Sequence, residues 1–95
     1  MDENQIVELT KARLGITSTI RDSYLSWIVK GVISELEKEK GIVLQENNAH
    51  HVMFCVDYAT WRYQNRDSEG AMPRHLQYRM RNLIISAGGS GVDDV

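Results

Sequence analysis

His51 and Cys55 stand four residues apart, and with the neighbouring His50 they are the first residues of this 95-residue chain whose types suggest chemistry. On a helix an i, i+4 pair projects from one face, which is how two side chains bite a metal ion. A structural zinc site takes four ligands, however, and no third strong candidate lies near these residues in sequence. They read instead as a helix-start His pair and a packed thiol. Cys55 lies inside an apolar run with no cue for a lowered thiolate pKa, so it reads as a small buried hydrophobe rather than a nucleophile. Glu35, Glu37 and Glu39 alternate where a solvated helix end is expected, not an acid–base pair. Gly88-Gly89-Ser90-Gly91 has no helix after it and so cannot present a helix N-terminus to phosphate. The expectation is a chain without a catalytic residue, a metal ligand or a cofactor, built for packing and docking.

The residues left over are basic and aromatic. Arg62, Arg66, Arg74, Arg79 and Arg81 form the only notable basic set, and on the last helix Arg74, Gln77, Arg79 and Arg81 are expected opposite Leu76, Met80 and Leu83. Net charge is -2, which weakens a case for general nucleic-acid binding, but the charge is uneven along the chain. Residues 1–59 hold six basic and nine acidic side chains, residues 60–86 five basic and two acidic, and residues 87–95 only Asp93 and Asp94. Surfaces of opposite sign suit head-to-tail contact between copies, because complementary potentials favour docking and suppress wrong registers. Arginine pairs bidentately with carboxylates, and Asp93, Asp94 or the glutamates of a neighbouring copy are available. Tyr24 and Trp27 fall on the flank of the second helix, where an aromatic either seals the core rim or anchors an interface. Tyr24, Trp27, Trp61, Arg62, Arg66, Arg74, Arg81, Asp93 and Asp94 are therefore the candidate protein-interface residues.

Four helices must position them. Ile6, Val7, Leu9 and Leu14 predict an apolar stripe on a first helix from about Asn4 to Leu14, stopped by Gly15. Thr19 with Asp22 has the form of a capping box before a long second helix, from about Ile20 to Lys40, buried through Leu25, Ile28, Val29, Val32, Ile33 and Leu36. Gly41 stands where a left-handed cap would sit. Ile42, Val43 and Leu44 are either a short extended piece or a cover for the core. After Asn47-Asn48 a central third helix reaches Tyr63 or Gln64, with Val52, Val56, Ala59 and Tyr63 on one face and Met53, Cys55 and Tyr58 widening it. Asp67, Ser68 and Gly70 predict a turn, and Pro73 suits the first turn of a fourth helix ending near Ile85. Ala87 to Val95 has the composition of a flexible tail. The expected fold is all-α, a small four-helix bundle over residues 1–86 with a C-terminal tail over 87–95.

A chain of this length buries only about 60 to 65% of its unfolded surface, so a partner or a second copy would complete a thin core. One cysteine excludes an internal disulfide and fits a reducing compartment. No stretch approaches the ~20 apolar residues of a membrane span, and Met1-Asp2-Glu3-Asn4 lacks the positive charge of a signal peptide. A soluble, cytoplasmic chain is expected.

With the helices placed, the chain resembles the small head–tail connector proteins of tailed bacteriophages, also called head-completion or adaptor proteins. The resemblance covers about residues 6–86. It rests on Leu14-Gly15-Ile16 closing the first helix, Asp22, Leu25 and Ile28 opening the second, and Gly41 after it. It continues through Val56-Asp57-Tyr58-Ala59-Thr60-Trp61-Arg62-Tyr63-Gln64-Asn65-Arg66 and Met72-Pro73 before the last helix. It implies a non-enzymatic ring subunit, commonly one of about twelve copies, assembled below the portal protein after DNA packaging. It further implies that the ring extends the DNA channel, possesses a seat for the next connector or tail-completion protein, and belongs to the virion after assembly in the host cytoplasm. Thr17, Ser18, Thr19 and Arg21 replace the acidic residues usual around the start of the second helix, and the tail is short. The portal-docking element is therefore not assigned to residues. A small DNA-binding regulator is the alternative, with the turn from Asn65 to Ala71 before Arg74 as its only helix-turn-helix candidate.

Overall fold

Helix α1 spans Glu3–Leu14, and its ends show why it forms where it does. The Asp2 carboxylate accepts from the Asn4 and Gln5 backbone N–H groups, and Gly15 closes the helix at φ 76°. Ile16 N–H returns to Lys11 O at 2.9 Å and Gly15 N–H to Ala12 O at 3.3 Å, so two of the last carbonyls find backbone donors. Helix α2 (Asp22–Ser34) passes directly into a π-helical turn over Glu35–Glu39, helix α3 covers Ala49–Gln64, and helix α4 covers Arg74–Asp93. In this computed structural model the backbone is described for residues 1–93 and the side chains for residues 1–86. The fold is all-α, as the periodicity predicts, with no strand among the described residues.

Helices α1, α2 and α3 pack against one another, and among the described residues α4 packs on α3 alone. The core follows most of the predicted stripes: Ile6, Leu25, Val29, Val32, Leu36, Cys55, Val56 and Ala59 are buried, with Leu76 and Met80 added from α4, while Ile28, Leu83 and Ile84 are only partly buried and Phe54, outside the predicted faces, is buried. Between α2 and α3 the chain runs without helix, with Ile42 and Leu44 buried and Val43 exposed. That in-out-in alternation lets the segment cover the core edge, and it resolves the choice left open by three apolar residues in a row. Gly41 adopts φ 68°, and Ile42 N–H bonds back to Leu36 O at 2.9 Å, so the expected left-handed cap is present. Asn48 caps α3 through its side chain, and Pro73 immediately precedes α4, its carbonyl accepting from Leu76 and Gln77 N–H.

Several local expectations are corrected. The Thr19–Asp22 capping box does not form: the second helix begins at Asp22, with Arg21 as an uncapped N-cap, and Ile20 before it is exposed. Asp22 is drawn off by the nearly buried Lys11 ammonium, 2.7 Å away, and a charge pair between helices outcompetes a local cap. Leu9 and Met53 are exposed rather than on the apolar faces, since each points away from the sides that α1 and α3 present to their neighbours. Helix α4 continues past Ile85 to Asp93. The tail expected over Ala87 to Val95 falls on residues outside the described side chains.

Candidate protein-docking surface

The antiparallel packing of α2 and α3 sets the last turns of α3 beside the first half of α2. Tyr24 and Ile28 from α2 meet Trp61, Arg62, Asn65 and Arg66 from the end of α3, and together they line an open groove of about 330 Å³. Four of the predicted interface residues, Tyr24, Trp61, Arg62 and Arg66, are thereby brought into one place. Trp27, one turn along α2, is 71% exposed, and its indole carries the Lys30 ammonium 4.9 Å from the ring centroid.

The groove is ordered by a chain of aromatic and guanidinium contacts. Tyr58, buried beneath it, donates its phenol hydrogen to Glu35 Oε1 at 2.8 Å, and its ring lies 6.3 Å from that of Trp61 in a stacked arrangement. Burial, then the hydrogen bond to Glu35, push the Tyr58 phenol up to about 12. Arg62 lies with its guanidinium carbon 5.6 Å from the Tyr58 centroid and its Nη1 3.6 Å from Glu35 Oε1. The π turn matters here, because it is Glu35, its first residue, that ties α2 to both Tyr58 and Arg62. Arg66 stacks 4.2 Å from the centroid of Tyr63 and donates to the Tyr63 carbonyl, while Arg21 donates to the Tyr63 hydroxyl from the other side. Neither Arg21 nor Arg66 is within 4 Å of a carboxylate among the described residues. The groove thus offers the Tyr24 and Trp61 rings with guanidinium donors that carboxylates among the described residues leave largely unspent.

Arg74 and Arg81 are elsewhere. With Gln77 and Tyr78 they occupy the outer side of α4, so the expected interface set splits into two patches rather than one. Arg79, expected on that outer side, turns inward: its Nη1 is 2.8 Å from Asp57 Oδ2 and its guanidinium lies 5.4 Å from the Phe54 ring. Asp57 also takes Arg13 of α1, so one carboxylate on the central helix binds both flanking helices. Sequence reasoning missed this hub. Its signal was present, since Asp57 is the one charged residue in the apolar run from Val52 to Trp61. Asp93 and Asp94, the acidic members of the expected set, lie outside the described side chains.

His51 and Cys55 are committed to structure, while His50 is exposed at the start of α3. His51 Nδ1 accepts from the Gln45 backbone N–H at 3.0 Å, and desolvation, then the nearby His50, lower its pKa. Cys55 is fully buried, which pushes its thiol up to about 12. Among the described residues no group of three or more His, Cys, Asp or Glu side chains is placed to hold a metal ion, and no helix is long and apolar enough to cross a membrane.

These features define a small all-α protein whose most distinctive surface is an aromatic groove edged with arginine. No family model, curated protein or solved structure matches the chain.

Proposed function

We propose that this chain is a structural head–tail connector subunit of a tailed phage or prophage. In this reading copies assemble as a ring below the portal, extend the DNA channel, and offer a platform to the next connector or tail-completion protein, so that the chain ends in the virion. The observation that carries the reading is the exposed Trp27 beside the Tyr24, Trp61, Arg62 and Arg66 groove. Tryptophan, tyrosine and arginine are the residue types that concentrate binding energy at protein interfaces, and here Tyr24, Trp61, Arg62 and Arg66 line one groove with Trp27 exposed one turn along α2. The thin core of a short chain supports it, as does the sequence resemblance to connector proteins. The test is to mix the purified chain with portal ring and weigh the complex. A stable stoichiometric assembly is expected, and a chain that joins no portal ring at any salt concentration refutes the proposal.

A second reading, a small DNA-binding regulator, draws on Arg74 and Arg81 on the outer side of α4. The connection between α3 and α4 runs from Asn65 to Pro73, longer than the 3–4-residue turn of a helix-turn-helix. The connector reading is preferred for that reason. Duplex binding that falls steeply with salt would reverse the preference.

A further inference from the structure

We infer that the aromatic–arginine groove of one copy receives the acidic C-terminal segment of a second copy, around Val92, Asp93, Asp94 and Val95. The inference rests on the self-assembly half of the proposed function and is independent of the portal.

Two observations lead there. The first is charge. The groove carries Arg62 and Arg66, with Arg21 close by around Tyr63, and among the described residues only Arg62 shares a carboxylate, that of Glu35 at 3.6 Å. Of the acidic stretches in the chain, Glu37 and Glu39 alternate with Lys38 and Lys40, Asp67 and Glu69 follow Arg66, and Asp2 is spent capping α1. From Asn82 to Val95 there is no Lys or Arg, and the only charges are Asp93 and Asp94. They stand between Val92 and Val95, a pattern of two carboxylates for guanidinium forks and two aliphatic side chains for an aromatic floor.

The second observation is direction. Helix α4 runs antiparallel to α3: Arg79 reaches Asp57, while Leu83 and Ser86 border the cleft that Asn48 and His50 line at the start of α3. The groove lies at the opposite end of α3, at Trp61 to Arg66. At ~1.5 Å per residue, α4 travels about 10 Å farther beyond Ser86 before it reaches Asp93, while the groove lies about 18 Å back along α3 in the other direction. As far as Asp93, the backbone of α4 thus runs away from the chain's own groove. A groove at one end and its complement at the other make a heterologous, head-to-tail contact, the kind that closes into a ring or extends as a filament.

Disulfide trapping tests this on the full chain, and the fully buried Cys55 does not interfere. A chain with Ser68→Cys at the groove edge is mixed with a chain with Val95→Cys and mildly oxidised. The expected product is a linked pair of 10.9-kDa chains. Arg66→Glu in the first chain should cut its yield about tenfold, and Asp93→Arg with Asp94→Arg in the second should restore it. No cross-link overturns the inference. So does a yield indifferent to both reversals, or ring closure within one chain when both cysteines are on it. Binding of labelled oligo(dT) that is lost with Arg66→Glu would assign the groove to single-stranded DNA and also overturn it. Cross-linking without portal binding leaves this inference standing and removes the connector reading. Portal binding that survives Asp93→Arg with Asp94→Arg, without any cross-link, does the reverse.

Discussion

Arg79→Met isolates the polar contact that holds α4 to the body of the protein, because among the described residues α4 packs on α3 alone and Met keeps the apolar stem while deleting the charge. Arg79 Nη1 and Asp57 Oδ2 are 2.8 Å apart, with the Asp57 side chain 19% exposed and that of Arg79 37% exposed. A hydrogen bond between charged partners is worth about 1.5–3 kcal/mol when sheltered, and solvent screening at this exposure brings the pair down to about 1 kcal/mol. Losing the guanidinium above the Phe54 ring removes about 0.5 kcal/mol more. The total of about 1.5 kcal/mol corresponds to about tenfold in the equilibrium for detaching α4. Hydrogen exchange followed by mass spectrometry reads that equilibrium segment by segment. Amides of residues 74–86 should exchange about tenfold faster in the variant, while those of Leu25, Val29 and Val32 in α2 stay within about twofold. Equal acceleration across all four helices would show that α4 is part of one cooperative unit and would refute the reasoning. No acceleration anywhere would show that the Asp57–Arg79 pair contributes nothing.

Four further outcomes are expected. Trp27→Ala should change the urea midpoint by less than about 0.5 kcal/mol of stability, because the side chain is largely solvent-exposed, yet it should weaken assembly with portal; the reverse pattern would make Trp27 a structural residue. Tyr58→Phe should cost about 1 kcal/mol by leaving Glu35 without its phenol donor, measured by urea unfolding at neutral pH, and a neutral result would show that Arg62 alone satisfies Glu35. Stability should also decline on the alkaline side. Folded-state pKa values above the ordinary 9.0 of Cys55, 10.0 of Tyr58 and 10.5 of Lys11 mean that folding holds these protons more tightly. Their stabilisation is complete below those ordinary values and drains away as pH rises through the folded ones, about 12 for Cys55 and Tyr58. Urea midpoints between pH 8 and 11 check the decline. The same burial should keep Cys55 unreactive toward a thiol reagent at pH 8 until the chain unfolds, and rapid native labelling would contradict it.

The helices and most of the core were legible because they are local matters. Three- and four-residue spacings mark Leu25, Val29, Val32 and Leu36, or Val52, Val56, Ala59 and Tyr63, as single faces, and Gly15 and Gly41 mark ends that require positive φ. The failures share a cause: each depended on a partner distant in sequence. Asp22 has the spacing for half of a capping box, but Lys11, on another helix, takes it. Arg79 has the helical spacing of an outward charge, but Asp57 turns it inward. Leu9 and Met53 carry the right residue type for a buried stripe and still face solvent, because which sector of a helix is covered depends on where its neighbours sit.

Periodicity, caps and composition were enough to establish four helices, the residues that build their shared interior, and a supply of tryptophan, tyrosine and arginine in excess of what that interior needs. Side-chain spacing along one helix is fixed by backbone geometry, so this much is encoded in a single dimension. Which surplus residues stand together was decided only when α2 and α3 packed antiparallel, joining Tyr24 to Trp61 and Arg66 while leaving Arg74 and Arg81 on a different side. A docking surface is made of residues far apart in the chain, and only packing sets the distance between them.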